Sequence, residues 1–231
     1  MPYNPNINTY DNITLCLTIG KRPLELEKTL QSLLNQVNFK NIIAINDFRD
    51  EATNEVFLRL CPQGELINLP MRVGHHLAID TMYSKVTTEY IFHCEDDWLF
   101  TEELEIQKYI ALLNQYPQAT MICLRKISDF SFCKEELKKI QYNKNNLINL
   151  ACLNSLHEQW YGYTFNPHIT SINTWKETKG FEKFKKERHI SRWFRAKEKY
   201  ALFLENGICH HIGFESIANP PRKSWFTSLL G

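Results

Sequence analysis

The chain has 231 residues, 43% of them hydrophobic, with 27 Lys+Arg against 26 Asp+Glu. That length and apolar content give one globular domain, or two tightly fused halves, an ample core and exclude a disordered chain. No apolar run approaches the roughly 20 residues that span a bilayer, and the opening "MPYNPNINTYDN" has neither the basic start nor the apolar core of a secretory signal, so a cytoplasmic protein is expected.

In chain order, "ITLCLTIG" from Ile13 is an apolar, β-branched run closed by glycine and predicts a buried strand. A helix follows in "RPLELEKTLQSLLNQV": Pro23 suits a first turn, and Leu26, Leu30, Leu33, Leu34 and Val37 fall on one helical face. "NIIAIND" predicts a second strand ending at Asp47, residues 51–60 a less regular helix, and "GELINL" a third strand. "GHHLAIDTMYSKV" predicts another helix before the strand "EYIFH". Strands alternating with helices at this spacing predict a layered α/β sheet whose ligands sit outside the carboxyl ends of the strands, where Gly20, Asp47 and residues 95–97 would lie. Further on, "EELEIQKYIALLNQY" predicts a helix and "TMICLRKI" a strand, followed by a polar, irregular stretch around "KKIQYNKNN". A helix is expected in "SRWFRAKEKYALFL", then a closing "ICHHIGFES" and a proline-containing tail.

Charge divides unevenly along this order. Residues 1–120 hold 9 Lys+Arg against 16 Asp+Glu, net −7, and residues 121–231 hold 18 against 10, net +8. The acidic half suits cation binding and not a nucleic-acid groove. The basic half suits phosphates, anionic lipid or an acidic acceptor, unless the two faces simply attract each other. The seven cysteines are odd in number and unclustered, which points to reduced core thiols. His and Cys have no close ligand spacing beyond His75-His76 and Cys209-His210-His211, so a zinc enzyme is the weakest reading.

The most informative segment is "YIFHCEDDWLF", where an apolar strand runs into Glu95, Asp96 and Asp97. Three adjacent carboxylates repel one another and raise at least one pKa unless a cation is present. Mg²⁺ and Mn²⁺ take oxygen ligands, usually one or two carboxylates completed by waters and substrate phosphates. Alternation along extended backbone would put Glu95 and Asp97 on one side and Asp96 on the other. The competing reading is an acidic loop paired with lysines.

Several of these segments resemble a GT-A-fold nucleotide-sugar glycosyltransferase of the family-2 kind, over about residues 13–216. "LTIGKRPLELEKTLQSLLNQ" is similar to that family's opening strand, loop and helix, "AINDFRDEAT" to its second strand and acidic turn, and "RVGHHLAIDTMYSKVTTEYIFHCEDDW" to the segment from its glycine to its metal motif. The Asp-x-Asp motif takes the form Glu-Asp-Asp here, and "CHHIG" resembles a His-x-Gly that supplies a late metal ligand. Two departures stand out. Asn46, Asp47, Phe48 and Arg49 replace the usual Asp-Asp-Gly-Ser, and Asp80 stands where an asparagine is common.

The resemblance implies a GT-A-like, Rossmann-type mixed sheet flanked by helices in a single fused domain. About residues 1–100 would form the nucleotide-sugar-binding half and about 101–231 the acceptor-binding half. It implies Asp47 on the nucleotide base, Thr18 to Gly20 near the nucleoside, Arg22 at the diphosphate, and Gly74 turning into a helix beside the donor. Simple turn roles for Asp47 and Gly74, and a surface charge for Arg22, compete with these. Asp97 would bind Mn²⁺ or Mg²⁺ directly and His211 would join it, with His210 the competitor. Glu95 and Asp96 would bind water, ribose or sugar hydroxyls, Glu95 also lying within the metal set. Glu187 is the first choice of base, with Asp96 and Glu182 as rivals. Trp160 and Tyr161, in an aromatic run with Tyr163 and Phe165, would line the acceptor site, while His168 reads as structural.

The function implied is transfer of a sugar from a nucleoside-diphosphate sugar, UDP favoured, to a saccharide or lipid-linked saccharide. Inversion is expected, in bacterial surface polysaccharide synthesis. A non-catalytic nucleotide-sugar-binding protein is the alternative, and a sugar-phosphate nucleotidyltransferase a more distant one, because no glycine-rich nucleotidyl loop follows the first strand. The basic stretch "KFKKERHISRWFRAKEK" and the tail "PPRKSWFTSLL" would either touch the inner face of an anionic membrane peripherally or form a solvated basic face.

Overall fold

The computed structural model describes residues 7–144 and 148–213. Expectations for the tail, including Trp225 and Phe226, lie outside the described residues. The elements run β1 (Thr9–Ile19), α1 (Pro23–Leu34), β2 (Asn38–Asn46), α2 (Glu51–Leu60), β3 (Glu65–Asn68), α3 (His75–Tyr83), β4 (Tyr90–Glu95), β5 (Trp98–Phe100) and α4 (Ile106–Gln115). They continue with β6 (Ala119–Cys123), α5 (Lys134–Leu137), β7 (Gln141–Asn143), β8 (Leu150–Cys152), β9 (His168–Ser171), α6 (Ile172–Thr178), α7 (Glu187–Arg195), β10 (Tyr200–Leu204) and β11 (Cys209–His211).

The main sheet has strand order β3-β2-β1-β4-β9-β6-β10-β8-β7, and β5 and β11 form a separate antiparallel pair. β1 to β4 are parallel, as the alternation of strands and helices requires. β9 enters antiparallel between β4 and β6 and makes the sheet mixed. The α/β expectation therefore holds, with differences in the later part of the chain, where β7 lies in the stretch read as irregular. "SRWFRAKEKYALFL" is not one helix: α7 ends at Arg195 and "YALFL" is strand β10. The strand "HITS" inside the aromatic segment was not anticipated.

Both sheet faces are buried, which explains why the central strands read as continuous apolar runs. From β1, Leu15 and Leu17 pack with Leu26, Leu30 and Leu33 of α1 and with Phe57, while the intervening Cys16 joins Ile79, Met82 and Tyr83 of α3 on the other face. β4 repeats the division, with Phe92 and Cys94 on the α1 side and Ile91 on the α3 side. Five of the cysteines are buried and all are free, in line with reduced thiols, but Cys133 is exposed. Among the described residues no helix is long and apolar enough to cross a membrane.

The β4–β9 seam sets His93 opposite His168, with rings stacked at a centroid distance of 5.1 Å, and the Tyr83 hydroxyl lies 2.9 Å from His93 Nδ1. Burial pushes His168 down to about 4. Because the unfolded chain binds this proton near pH 6.5, the contribution is complete above that pH and is lost as pH falls toward 4. The stability advantage of the native protein over His168→Gln is thus expected to shrink by about 3 kcal/mol between pH 7 and pH 4, read from urea midpoints. Leu30→Ala, in the core, is expected to cost about 2–5 kcal/mol, whereas Leu24→Ala, on the exposed side of α1, should change stability by less than about 0.5 kcal/mol.

Candidate active site

The parallel strands end in register: Thr18 pairs with Ile45 of β2 on one side and Glu95 of β4 on the other. That alignment brings Gly20, Asp47 and the three acids to one edge. The Gly20 N–H donates to Asp96 Oδ2 at 2.8 Å, and a Cβ at Gly20 would sit 2.4 Å from Phe48 Cδ2. Thr29 of α1 fixes the turn beyond β4. Its hydroxyl donates to the Asp96 carbonyl at 3.0 Å and accepts from the Trp98 N–H at 3.0 Å.

Because the chain turns at residues 96–97, the expected alternation of the acids does not hold. Asp96 and Asp97 are both buried, and Arg22 reaches both: Nη1 contacts Asp97 Oδ2 and lies 3.6 Å from Asp96 Oδ1. From the far end of the chain, His211 pairs with Trp98 across β11 and β5, which sets its Nε2 2.9 Å from Asp97 Oδ2. The Ile212 N–H donates to the Asp97 carbonyl at 2.8 Å, and a Cβ at Gly213 would lie only 2.3 Å from Asp97 Oδ2. The histidine and glycine of "HIG" therefore close directly over Asp97.

Loss of solvent, then the nearby Glu187 and Asp96, push Glu95 up to about 7. Burial likewise pushes Asp96 up to about 7, against the pull of the Gly20 N–H and Arg22. Burial lowers His211 below the usual imidazole range, which keeps the ring neutral at pH 7 and able to act as a ligand. Asp97 Oδ1 is buried without a hydrogen-bond partner. Among the described residues no three His, Cys, Asp or Glu side chains converge on one point, so Asp97, Glu95 and His211 do not form a closed cage. An open site with few protein ligands suits a hard divalent cation shared with a diphosphate. The stranded Asp97 Oδ1 and the adjacent neutral His211 fit such an ion.

Asp47 accepts the N–H groups of Val73 at 2.6 Å and Gly74 at 2.9 Å, joining β2 to the start of α3. Gly74 has φ +92°, so its turn requires glycine, and Asp47 anchors that turn from across the sheet edge. Asn46, the departure beside it, accepts from the Phe48 and Arg49 N–H groups, both at 2.9 Å, and holds a turn in which Arg49 is left-handed. Phe48, given no role by the sequence, faces Gly20 and carries Arg72 4.7 Å and Lys21 5.3 Å from its ring centre. Asp80, the second departure, accepts from Trp175 Nε1 at 2.7 Å and from the Phe181 and Glu182 N–H groups at 2.8 Å, pinning the turn that leads to Glu187.

Glu187 opens α7 and lines a cavity of about 260 Å³ with Arg125, Phe130, Trp160, Tyr161 and Asn166. The base candidate and both acceptor candidates are thus brought together, and the charge of Glu187 is felt at Glu95. Burial raises Glu187, while the Thr164 hydroxyl, the Phe165 backbone and Arg125 draw it back. Glu182 is exposed and does not line this cavity. Sequence reasoning missed Arg125, whose guanidinium donates to Asn166 Oδ1 at 3.1 Å and to the Asp129 carbonyl at 2.9 Å and stacks 4.1 Å from Phe130. Its only sequence signal is a cation just past a buried strand.

The family model described as Glycosyl transferase family 2 matches residues 15–210. The chain belongs to that family. No curated protein sequence matches it. Among solved structures, this family-2 chain is similar to the mannosyltransferase PcManGT from Pyrobaculum calidifontis in complex with GDP-Man and Mn²⁺, at TM-score 0.61 and 12% identity, over 88% of this chain and 57% of that one. It is also similar to residues 1–349 of TarS from S. aureus, at TM-score 0.60 and 12% identity, over 87% of this chain and 60% of that one. These likenesses establish a GT-A-type fold, and the chain spans less than two thirds of the length of either structure.

Removing the Asp80 carboxylate strands two partly buried N–H donors, of Trp175 and Phe181, and the exposed Glu182 N–H. Asp80→Ala is expected to cost about 2–4 kcal/mol in chemical denaturation and to speed amide exchange at Phe181 and Glu182.

Proposed function

We propose that this family-2 chain is a metal-dependent, inverting glycosyltransferase. It transfers a sugar from a nucleoside-diphosphate donor, UDP favoured, to a hydroxyl of a saccharide or lipid-linked saccharide in surface polysaccharide assembly. The observation that carries the reading is that Glu187 lines an aromatic cavity with Trp160 and Tyr161, while Arg22 reaches the buried Asp96–Asp97 pair at the strand ends. In this reading Glu187 is the acceptor-side carboxylate and the acid–arginine cluster forms the donor side. The donor and metal present in the PcManGT structure support the same reading.

Thr18, Gly20, Asp47 and Gly74 frame the nucleoside end of the donor, and Arg22 reaches toward its diphosphate. A Mn²⁺ or Mg²⁺ ion held by Asp97, with His211 and Glu95 beside it, supplies Lewis acidity toward the departing diphosphate when bound. The Glu187 carboxylate accepts the proton of the acceptor hydroxyl as that oxygen forms its bond to the anomeric carbon. The bond from that carbon to the diphosphate oxygen breaks, its electron pair leaves with the diphosphate, and attack from the opposite side inverts the centre. Trp160 and Tyr161 offer aromatic faces to the acceptor ring.

The test pairs a thermal-shift screen of UDP- and GDP-sugars with Mn²⁺ and donor turnover. A donor that shifts the melting temperature only with metal is expected, because it binds the folded state alone. Glu187→Gln should keep that shift and lower kcat by about 10²–10⁴, while Asp97→Asn should abolish the metal-dependent shift. Binding without turnover in the native protein would instead identify a nucleotide-sugar-binding module, and absence of any shift would overturn the reading.

A further inference from the structure

The turn held by Asp80 and the helix it introduces carry more positive charge than the fold uses. Between residues 183 and 192, Lys183, Lys185, Lys186, Arg188 and Arg192 stand against the single acid Glu187. Several cations elsewhere are paired with carboxylates, Lys85 with Glu65, Lys126 with Glu102, and Lys197 and Lys199 with Glu177. Among the described residues, none of the five makes a carboxylate ion pair. Lys183, Lys185, Lys186 and Arg192 are exposed. Their field also reaches His189, where burial and then Arg188, Arg192, Lys186 and Lys185 disfavour the protonated ring.

This basic ridge adjoins the cavity in the chain, because Lys186 caps the helix whose first residue, Glu187, lines it. Inside the cavity the positive character continues at Arg125, fixed by Asn166 and stacked on Phe130. A neutral saccharide would gain nothing from a run of cations that makes no carboxylate ion pair, Lys183 donating instead to the Thr178 carbonyl. Among the described residues the exposed large hydrophobics are Leu24, Leu58, Met71, Leu137, Tyr142 and Trp160, and none of them lies on the ridge to anchor it in a flat anionic membrane. A peripheral membrane site combines such anchors with its cations. A flexible anionic chain meets both conditions: its charges lie along the ridge while one uncharged hydroxyl enters the recessed cavity.

We infer that the acceptor is a soluble, linear polyanionic chain, docked along Lys183, Lys185, Lys186, Arg188 and Arg192 with its reacting hydroxyl directed to Glu187. This deepens the transferase reading and rests on it for the cavity's role. The test measures binding of fluorescent polyphosphate and of vesicles one-third phosphatidylglycerol to three proteins with matching melting temperatures. These are the native chain, Lys185→Glu/Lys186→Glu/Arg192→Glu, and a control reversing three exposed cations elsewhere, Lys28→Glu/Lys40→Glu/Lys138→Glu. The expected result is polyphosphate binding that weakens steeply with salt, falls at least about tenfold in the ridge variant and stays within about twofold in the control, with no vesicle binding at low salt. Equal binding by native and ridge variant, no polyphosphate binding at low salt, or vesicle binding lost in the ridge variant would each overturn the inference. Failure of the donor reading is separately visible as an absent metal-dependent thermal shift with nucleotide sugars, a measurement in which polyphosphate takes no part.

Discussion

The structure depends on keeping carboxylates buried at the end of a sheet. Asp96 and Asp97 are both almost sequestered from solvent, and an ionised carboxylate out of water is strongly destabilised unless other groups compensate it. Arg22, the Gly20 N–H and His211 supply that compensation from both ends of the chain. The compensation is incomplete: Glu95 and Asp96 are pushed to about 7, and Asp97 Oδ1 has no partner. A bound cation would relieve that electrostatic strain.

Both of the oppositely charged halves of the sequence contribute to this site. The first half builds the parallel strands that carry the acids. The second half inserts β9 antiparallel against β4 and returns β11 to pair with β5, placing His211 on Asp97 and Glu187 near Glu95. Neither half completes the site alone.

The first hundred residues were legible because each signal was local: Pro23 opening a helix, leucines at helical spacing, and apolar strands closed by glycine or acid. Later elements were less so. "HITS" is four residues between Asn166-Pro167 and a helix, too short for periodicity to mark it as the strand that joins the two halves of the sheet. α7 and β10 read as one helix because the turn between them has neither Gly nor Pro; Glu198 takes the left-handed conformation at φ +59°, a rare choice for a side chain that is not glycine.

By itself the sequence determined the α/β class, the strand-end position of the acidic cluster and the likeness of its motifs to a family, because these follow from backbone period and residue chemistry. Tertiary structure decided which groups meet. A turn after Glu95 overrode the alternation that would have separated Asp96 from Asp97 and placed both on Arg22. The Asp80 contacts and the mixed sheet then set Glu187, Trp160, Tyr161 and the unanticipated Arg125 around one cavity. Such meetings depend on register and turns between residues far apart in the chain, and no local pattern encodes them.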